Sequence, residues 1–366
     1  MKNTKIQWCH STVNPVMGCN GCELWKPAAA ITALILDLLL RLTRQPKTTV
    51  QAEIERAVGD RETSELYRDR ESVAQDATQR LGLDRDQERQ VIDVIRKECK
   101  CYAGFLGTMR AGHAGYTDKF EMPKLYPGRV AKAAIWTLPD EKELQDKPWL
   151  KGLPRLIFVS DIGDALSNGV SFNFLMEEII GNVVSEAGQR HIWLWLSKRP
   201  GRMAEFGKWL QSRGIGWPAN LVPMTTVTAQ RFAHRVDQLR RVPSQFKGLS
   251  LEPLSEPVNL DLRGIDWTIV GGGSDVMAEP FHAEWALALE RQCKSERVAF
   301  FLKQLGKHPF HRGKPLELDD QHGGNWNEWP KERPADDLQA RIPHLRVGQG
   351  FGHPPDDAGS QDSPQS

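Results

Sequence analysis

The sequence predicts a parallel α/β architecture, a TIM-like partial (β/α) barrel carrying an all-helical insertion. Three observations lead there. From Arg155 onward short apolar runs alternate with amphipathic helices, the pattern of parallel strands joined by crossover helices. Residues 28–98 read as helix throughout, with no strand-like run between them. The apolar runs after Arg155 end, one after another, in charged or glycine-rich residues.

In chain order, residues 1–25 form the first strand and a cysteine loop, 26–98 the insertion, 99–318 the barrel and 319–366 a C-terminal extension with a disordered end. In the insertion, Ile31, Leu34, Ile35, Leu38, Leu39 and Leu42 recur at the spacing of one helix face, and Pro46 closes that helix. Thr48 with Gln51 and Asp84 with Gln87 read as capping boxes, and Gly59 and Gly82 as helix stops. Each helix carries its own apolar stripe, so the insertion should pack mainly on itself. The barrel strands are expected at Leu156–Ser160, His191–Leu196, Leu221–Val227, Gly248–Leu251, Trp267–Val270 and Val298–Leu302. Intervening helices are expected at 172–187, 200–213, up to 241, and 283–296.

Composition narrows the function. The 366 residues hold 48 Lys+Arg against 47 Asp+Glu, a net +1, so nucleic acid could be held only by a local patch. The longest apolar stretch, Ala28 to Leu42, is broken by Asp37 and Arg41 and falls short of the ~20 residues a membrane span needs. The N-terminus leads into polar sequence without an apolar signal core, so the expected compartment is the cytoplasm, and no membrane partner is expected.

In parallel α/β folds chemistry gathers beyond the carboxyl ends of the strands. Those ends carry Asp161 and Asp164, Lys198 and Arg199, Glu252, Gly271 and Gly272, and Lys303. Any one of them could be an ordinary polar loop residue; as a set they mark a functional face. The Gly271–Gly273 run lacks the GxGxxG spacing, and is either a close approach to a ligand or a turn. Lys198-Arg199 before Pro200 is either an anion site at a helix start or a solvated turn. Arg231, Arg235, Arg240 and Arg241 read as a solvated helix face.

The six cysteines are uneven: Cys19 and Cys22 form a CxxC, Cys99 and Cys101 a CxC, and Cys9 and Cys293 stand alone as structural or buried thiols. Close-spaced pairs in such a chain read as metal or redox sites sooner than as disulfides. Four thiols would suit a structural zinc, three would suit a [4Fe–4S] cluster with one open iron, and a redox pair is a third reading. Spacing alone leaves these open, with a slight lean to zinc.

Further stretches resemble a known family. Trp8, Asn14-Pro15-Val16, Gly18-Cys19 and Cys101-Tyr102-Ala103 are followed by Phe158–Asp164, Leu196–Pro200, Ser250–Pro253 and Phe301–Gly306. In that order they are similar to the phage-associated three-cysteine-motif family named after phage gene products thirty-seven and sixty-eight, which is considered radical-SAM-like. The resemblance implies a radical-SAM kind of barrel with a [4Fe–4S] cluster at its mouth, on Cys19, Cys22 and Cys101, with Cys99 as the other candidate for the middle ligand. It implies reductive cleavage of S-adenosylmethionine, with Asp161, Asp164, Lys198, Arg199, Glu252, Gly271, Gly272 and Lys303 lining the site. A nucleic acid or nucleotide substrate and a three-Cys-motif partner protein are implied by association. Two departures stand out: the insertion separates Cys22 from Cys101, and Gly271-Gly272-Gly273-Ser274 lacks the family's glutamate. The alternative expectation is a zinc-stapled α/β binding module without catalysis, in which Cys99 joins the other three thiols. Trp8 and residues 14–19 are expected at the barrel mouth, with Cys99 pointing aside.

Overall fold

The computed structural model describes residues 2–274, 278–325, 328–329, 345–346 and 350–351. The end of the chain for which disorder is expected lies outside them. Among the described residues no helix is long and apolar enough to cross a membrane.

Seven parallel strands form one sheet: β1 (Ser11–Val13), β2 (Leu156–Val159), β3 (Ile192–Ser197), β4 (Leu221–Thr226), β5 (Gly248–Leu251), β6 (Trp267–Gly271) and β7 (Ala299–Gln304). Their spatial order is their sequence order, and β1 is not paired with β7, so the sheet is a partial barrel and not a closed one. The six runs expected from residue 155 onward are all strands, each within two residues of its expected bounds.

Side chains alternate across the strands with period two. Leu156 and Phe158, Ile192 and Leu194, Val222 and Met224, Trp267 and Ile269, and Phe301 fill the inner side together with Trp8 and Cys9. The intervening residues, among them Ile157, Trp193, Trp195, Leu251 and Leu302, meet the outer helices in the larger core. Glu252 follows the same alternation to the inner side, and Lys303, at a break in the β7 register, pairs with it there. Trp8 departs from expectation. It packs on Phe158 (ring centroids 4.8 Å) and edge-on to Trp267 (6.2 Å), and so plugs the barrel from below instead of lining its mouth. It precedes β1, so it enters from the amino ends of the strands, where a large apolar ring fills space that the open edge would leave wet.

Two buried histidines sit at that lower end. His10 Nδ1 accepts the Leu156 N–H (2.9 Å), and His191 Nε2 donates to the Ala134 carbonyl (2.9 Å). Burial, helped by Arg155 and Lys147, lowers the His10 pKa to about 3; burial likewise lowers that of His191 to about 4. Both folded values lie below the unfolded 6.5, so the stabilisation is complete above pH 6.5 and is lost as pH falls toward 4. Each histidine then removes about 1.4 kcal/mol per pH unit. Urea unfolding at about pH 7 and about pH 5 should differ by roughly 4 kcal/mol, and much less in the His10→Gln/His191→Gln double variant. An equal difference in both proteins would remove the histidines as its cause.

Residues 28–98 fold as five helices: α1 (Ala28–Leu42), α2 (Lys47–Val58), α3 (Thr63–Arg68), α4 (Arg70–Arg80) and α5 (Arg85–Glu98). Ile31, Ile35 and Leu39 of α1 meet Val50 and Ile54 of α2, Val73 and Ala77 of α4, and Val91 and Ile95 of α5 in one core. At about 1.5–3 kcal/mol per fully buried large aliphatic side chain, this shared core holds helices too short to persist alone. Asp84 and Gln87 form the expected reciprocal cap. Pro46 and Thr48 do otherwise: α1 has already ended at Leu42, and Pro46 is the residue before α2, which begins at Lys47 without a side-chain cap. A proline's fixed φ suits it to open a helix as well as to end one.

Four helical segments cover the outer face: Phe172–Val183, with one widened turn at Met176–Ile180, and Pro200–Gln211, His234–Arg240 and Ala283–Ser295. The link from β5 to β6 is irregular, as expected. Helix α6 (Tyr102–Met109) begins directly after Cys101.

Candidate metal centre

After β1 the chain turns through Asn14 into a loop bearing Cys19 and Cys22. Gly18 (φ +93°) and Gly21 (φ +116°) adopt the left-handed conformations that glycine allows, and a Cβ on Gly18 would strike the Phe120 carbonyl at 2.5 Å. Residues 16–17 pair with 124–125, and Cys19 N–H donates to Phe120 O (2.7 Å), so the segment after Cys101 wraps the loop. Cys101 N–H donates to Leu24 O (2.9 Å), which closes the loop across the insertion. The tertiary fold thus brings together thiols that the sequence holds 79 positions apart.

Each of the three sulfurs accepts a hydrogen bond. Arg199 Nη1 donates to Cys19 Sγ (3.5 Å), Leu24 N to Cys22 Sγ (3.4 Å), and Gly104 N to Cys101 Sγ (3.3 Å), the last at the start of α6. The three thiols also lie within electrostatic reach of one another. Burial pushes Cys101 up to about 12, with Cys22 adding and Lys198 opposing. Burial and Asp164 raise Cys19 against the pull of Arg199. Without a metal, Cys19 and Cys101 therefore stay protonated at neutral pH, and a metal must displace their protons.

Cys99 is elsewhere. It is the buried residue that closes α5, its thiol pushed up to about 11 by burial, and its charged neighbours are Lys26, Arg70 and Glu98, none of them a thiol. Cys9 and Cys293 are buried in the inner and outer cores. Among the described residues no three His, Cys, Asp or Glu side chains form a ligand set for a single metal ion.

Two arginines fix the loop from the barrel side. Arg199, just past β3, donates to Asp164 Oδ2 (3.0 Å), Asn20 Oδ1 (2.9 Å) and Gly21 O (2.8 Å). Ser197 Oγ completes the cradle of Asp164 at 2.9 Å to each oxygen. Asp164 and Arg199 therefore hold each other and the loop, and Arg199 is neither a solvated turn nor an open anion site. Lys198 faces the thiols: burial opposes its charge, but Cys22, Glu23 and Cys101 outweigh it and raise its pKa.

Arg235 overturns the expectation of a solvated helix face. It is 8% exposed, and its two Nη groups grip the Glu23 carboxylate at 2.8 and 2.7 Å while Nη1 also reaches Thr226 O (3.0 Å). Its place beside Phe232, Val236 and Leu239 was the available signal, since that is the buried side of the helix. Replacing Arg235 by Met leaves a buried carboxylate unpaired. Urea unfolding should show a loss of roughly 3–5 kcal/mol, largely restored in Glu23→Gln/Arg235→Met. A single-variant loss under about 1 kcal/mol would make the pair a surface one.

The rest of the mouth follows from the strand ends. Asn14 Nδ2 donates to Asp161 Oδ1, and burial raises the Asp161 pKa against the hydrogen bonds of Asn14 and Thr12. Lys303 pairs with Glu252 across the inner side. Tyr102 donates to Asp161 O (3.1 Å). Gly271 leaves room for Glu252, whose Cδ would lie 3.5 Å from an added Cβ. A Cβ on Gly272 would lie 2.3 Å from Leu305 O, so this glycine lets two backbones meet, the close approach being to the chain itself.

One residue that positions the thiols had no local signal in sequence. Tyr67, from α3, directs its hydroxyl at the carbonyls of Cys99 and Cys101 (3.3 Å each), accepts the Cys101 N–H (3.1 Å) and packs on Trp25 (centroids 4.2 Å). The insertion thus supports the site as well as packing on itself.

Fold and site together define a partial α/β barrel with three cysteines gathered at the carboxyl ends of its strands. Residues 93–330 match the model of the family described as "Protein of unknown function (DUF5131)", and the chain belongs to that family. The match takes in β2 to β7, Cys99 and Cys101, and leaves Cys19, Cys22 and nearly all of the insertion outside it. No curated protein and no solved structure matches the chain.

Proposed function

We propose that this is a cytoplasmic iron–sulfur protein of the radical-SAM kind, acting on nucleic acid or a nucleotide. The observation that carries the reading is the donor set: three sulfurs, each accepting one N–H, lie near a lysine at the mouth of a parallel barrel, while the fourth nearby cysteine stands apart. Thiolates on one zinc share a centre at ~2.3 Å and so lie within about 4.6 Å of one another. Cluster thiolates each bind a different iron and stand farther apart, so the two readings require different thiol spacings.

When bound, a cluster with one open iron supplies the one-electron chemistry of reductive S-adenosylmethionine cleavage. The chain's part is to hold and orient. Arg199 aligns Cys19 and donates to its sulfur, as outer hydrogen bonds tune metal-bound thiolates. Lys198 offsets the negative charge of the thiolates and offers an ammonium to a carboxylate at the open position. Asp161 and the Glu252–Lys303 pair stand at the same strand ends and would be available to S-adenosylmethionine or substrate. The test is elemental analysis of anaerobically purified protein: about four irons with matching sulfide per chain supports the proposal. One zinc per chain overturns it in favour of the zinc-stapled module.

A further inference from the structure

Helix α6 has its apolar pattern inside out. Its buried side is Ala103, Gly104, Gly107 and Thr108, and added Cβ atoms on Gly104 and Gly107 would lie 2.2 Å from the rings of Trp25 and Phe120. Its large residues face out at i, i+3 and i+7: Tyr102 is 56% exposed, Phe105 49% and Met109 52%. A soluble helix normally buries such residues, and a contiguous exposed patch marks a binding surface.

What surrounds the patch indicates its occupant. Three of the chain's four tyrosines, Tyr102, Tyr116 and Tyr126, fall in 102–126. Arg110 lies over Tyr116 (5.3 Å) and Arg129 over Tyr126 (3.7 Å), and Tyr126 donates to Tyr116 O, so these form one surface. Residues 102–132 hold five Lys/Arg against two carboxylates, a net +3, while the remainder of the chain carries −2. One of the five, Lys124, is paired with Asp118, and another, Lys119, with Glu62. Tyr102 joins the surface to the mouth through its bond to Asp161 O.

We infer that the rim formed by residues 102–132 binds single-stranded nucleic acid, with bases stacked on Tyr102 and Phe105 and phosphates on Arg110 and Lys124, while Arg129 holds the rim together through the Asn14 and Gly115 carbonyls (3.0 Å each). Aromatic faces beside cations are the means by which unpaired strands are held without sequence preference, and paired bases cannot use them. The inference rests on the proposed function for the chemistry done on the strand, and delivers that strand to the mouth beside Cys101.

The test is fluorescence anisotropy with the full chain and labelled single-stranded RNA and DNA of roughly 16 nucleotides, beside a duplex of the same length. Saturable binding of the single strands, weakening between about 50 and 200 mM salt, is expected. Tyr102→Ala and Phe105→Ala should each weaken it roughly 5- to 150-fold with the far-UV circular dichroism unchanged, and Tyr102→Trp should retain it. Arg110→Glu should reduce the salt slope by about 1. Equal binding of duplex, undiminished binding by the alanine variants, or no strand binding overturns the inference, the last leaving the patch to a protein partner. Four irons without strand binding overturns this inference alone, whereas strand binding without iron overturns the iron–sulfur reading alone.

Discussion

Cys19→Ala, Cys22→Ala and Cys101→Ala should each reduce anaerobic iron loading from about four per chain to below about one, while Cys99→Ala keeps most of it. Each of the three sulfurs has a hydrogen-bond donor and lies within electrostatic reach of another thiol. Cys19 faces Arg199, Cys22 the Leu24 amide, and Cys101 the Gly104 amide at a helix start. Cys99 has been given packing instead, at the end of α5 among Lys26, Arg70 and Glu98. Replacing it removes a buried sulfur from the insertion core and should cost stability on the order of 1 kcal/mol or somewhat more. Iron and sulfide assays with the charge-transfer absorbance read the four variants side by side. Equal loss in Cys99→Ala and Cys22→Ala would move the site to four thiolates and remove the open position that S-adenosylmethionine needs.

Excising residues 28–98 and joining Pro27 to Cys99 through two glycines should abolish iron loading in a chain whose barrel still folds. The ends are close enough to join, because Lys26 pairs with Glu98 (3.1 Å) and Cys101 N–H bonds Leu24 O. The deletion removes Tyr67, whose hydroxyl is bonded at Cys101, and uncovers the part of Trp25 on which Tyr67 packs. Cys101 would then depend on one backbone bond for its position, and a metal site loosened by an ångström loses affinity steeply. Circular dichroism and iron analysis of the shortened chain decide it. Loading near that of the full chain would show that the insertion only decorates the barrel. Tyr67→Phe gives the milder version, with loading reduced and the helices intact.

Much of this architecture was legible in the chain. Strand and helix periods differ, 2 against 3.6, so alternation after Arg155 marked parallel strands, and put Glu252 and Lys303 at strand ends. The helices of 28–98 announced themselves by apolar stripes, and Asp84 with Gln87 by a cap that acts within one turn. These are local properties, set by the residues within a few positions of one another.

What only the tertiary structure decided is every feature made by residues far apart. Arg235 reads as one of four surface cations until Glu23, 212 positions away, is placed against it. Trp8 reads as part of a mouth motif until the open edge of the barrel requires a plug from below. The separation of Cys99 from Cys101 follows from the end of α5 and the start of α6, between which three residues turn, leaving Cys101 near Cys22 and Cys19 and Cys99 beside Lys26 and Arg70. Tyr67 carries no motif at all. Periodicity is a property of neighbours in the chain and so survives in the sequence, whereas burial, charge pairing and ligand convergence depend on which distant surfaces meet.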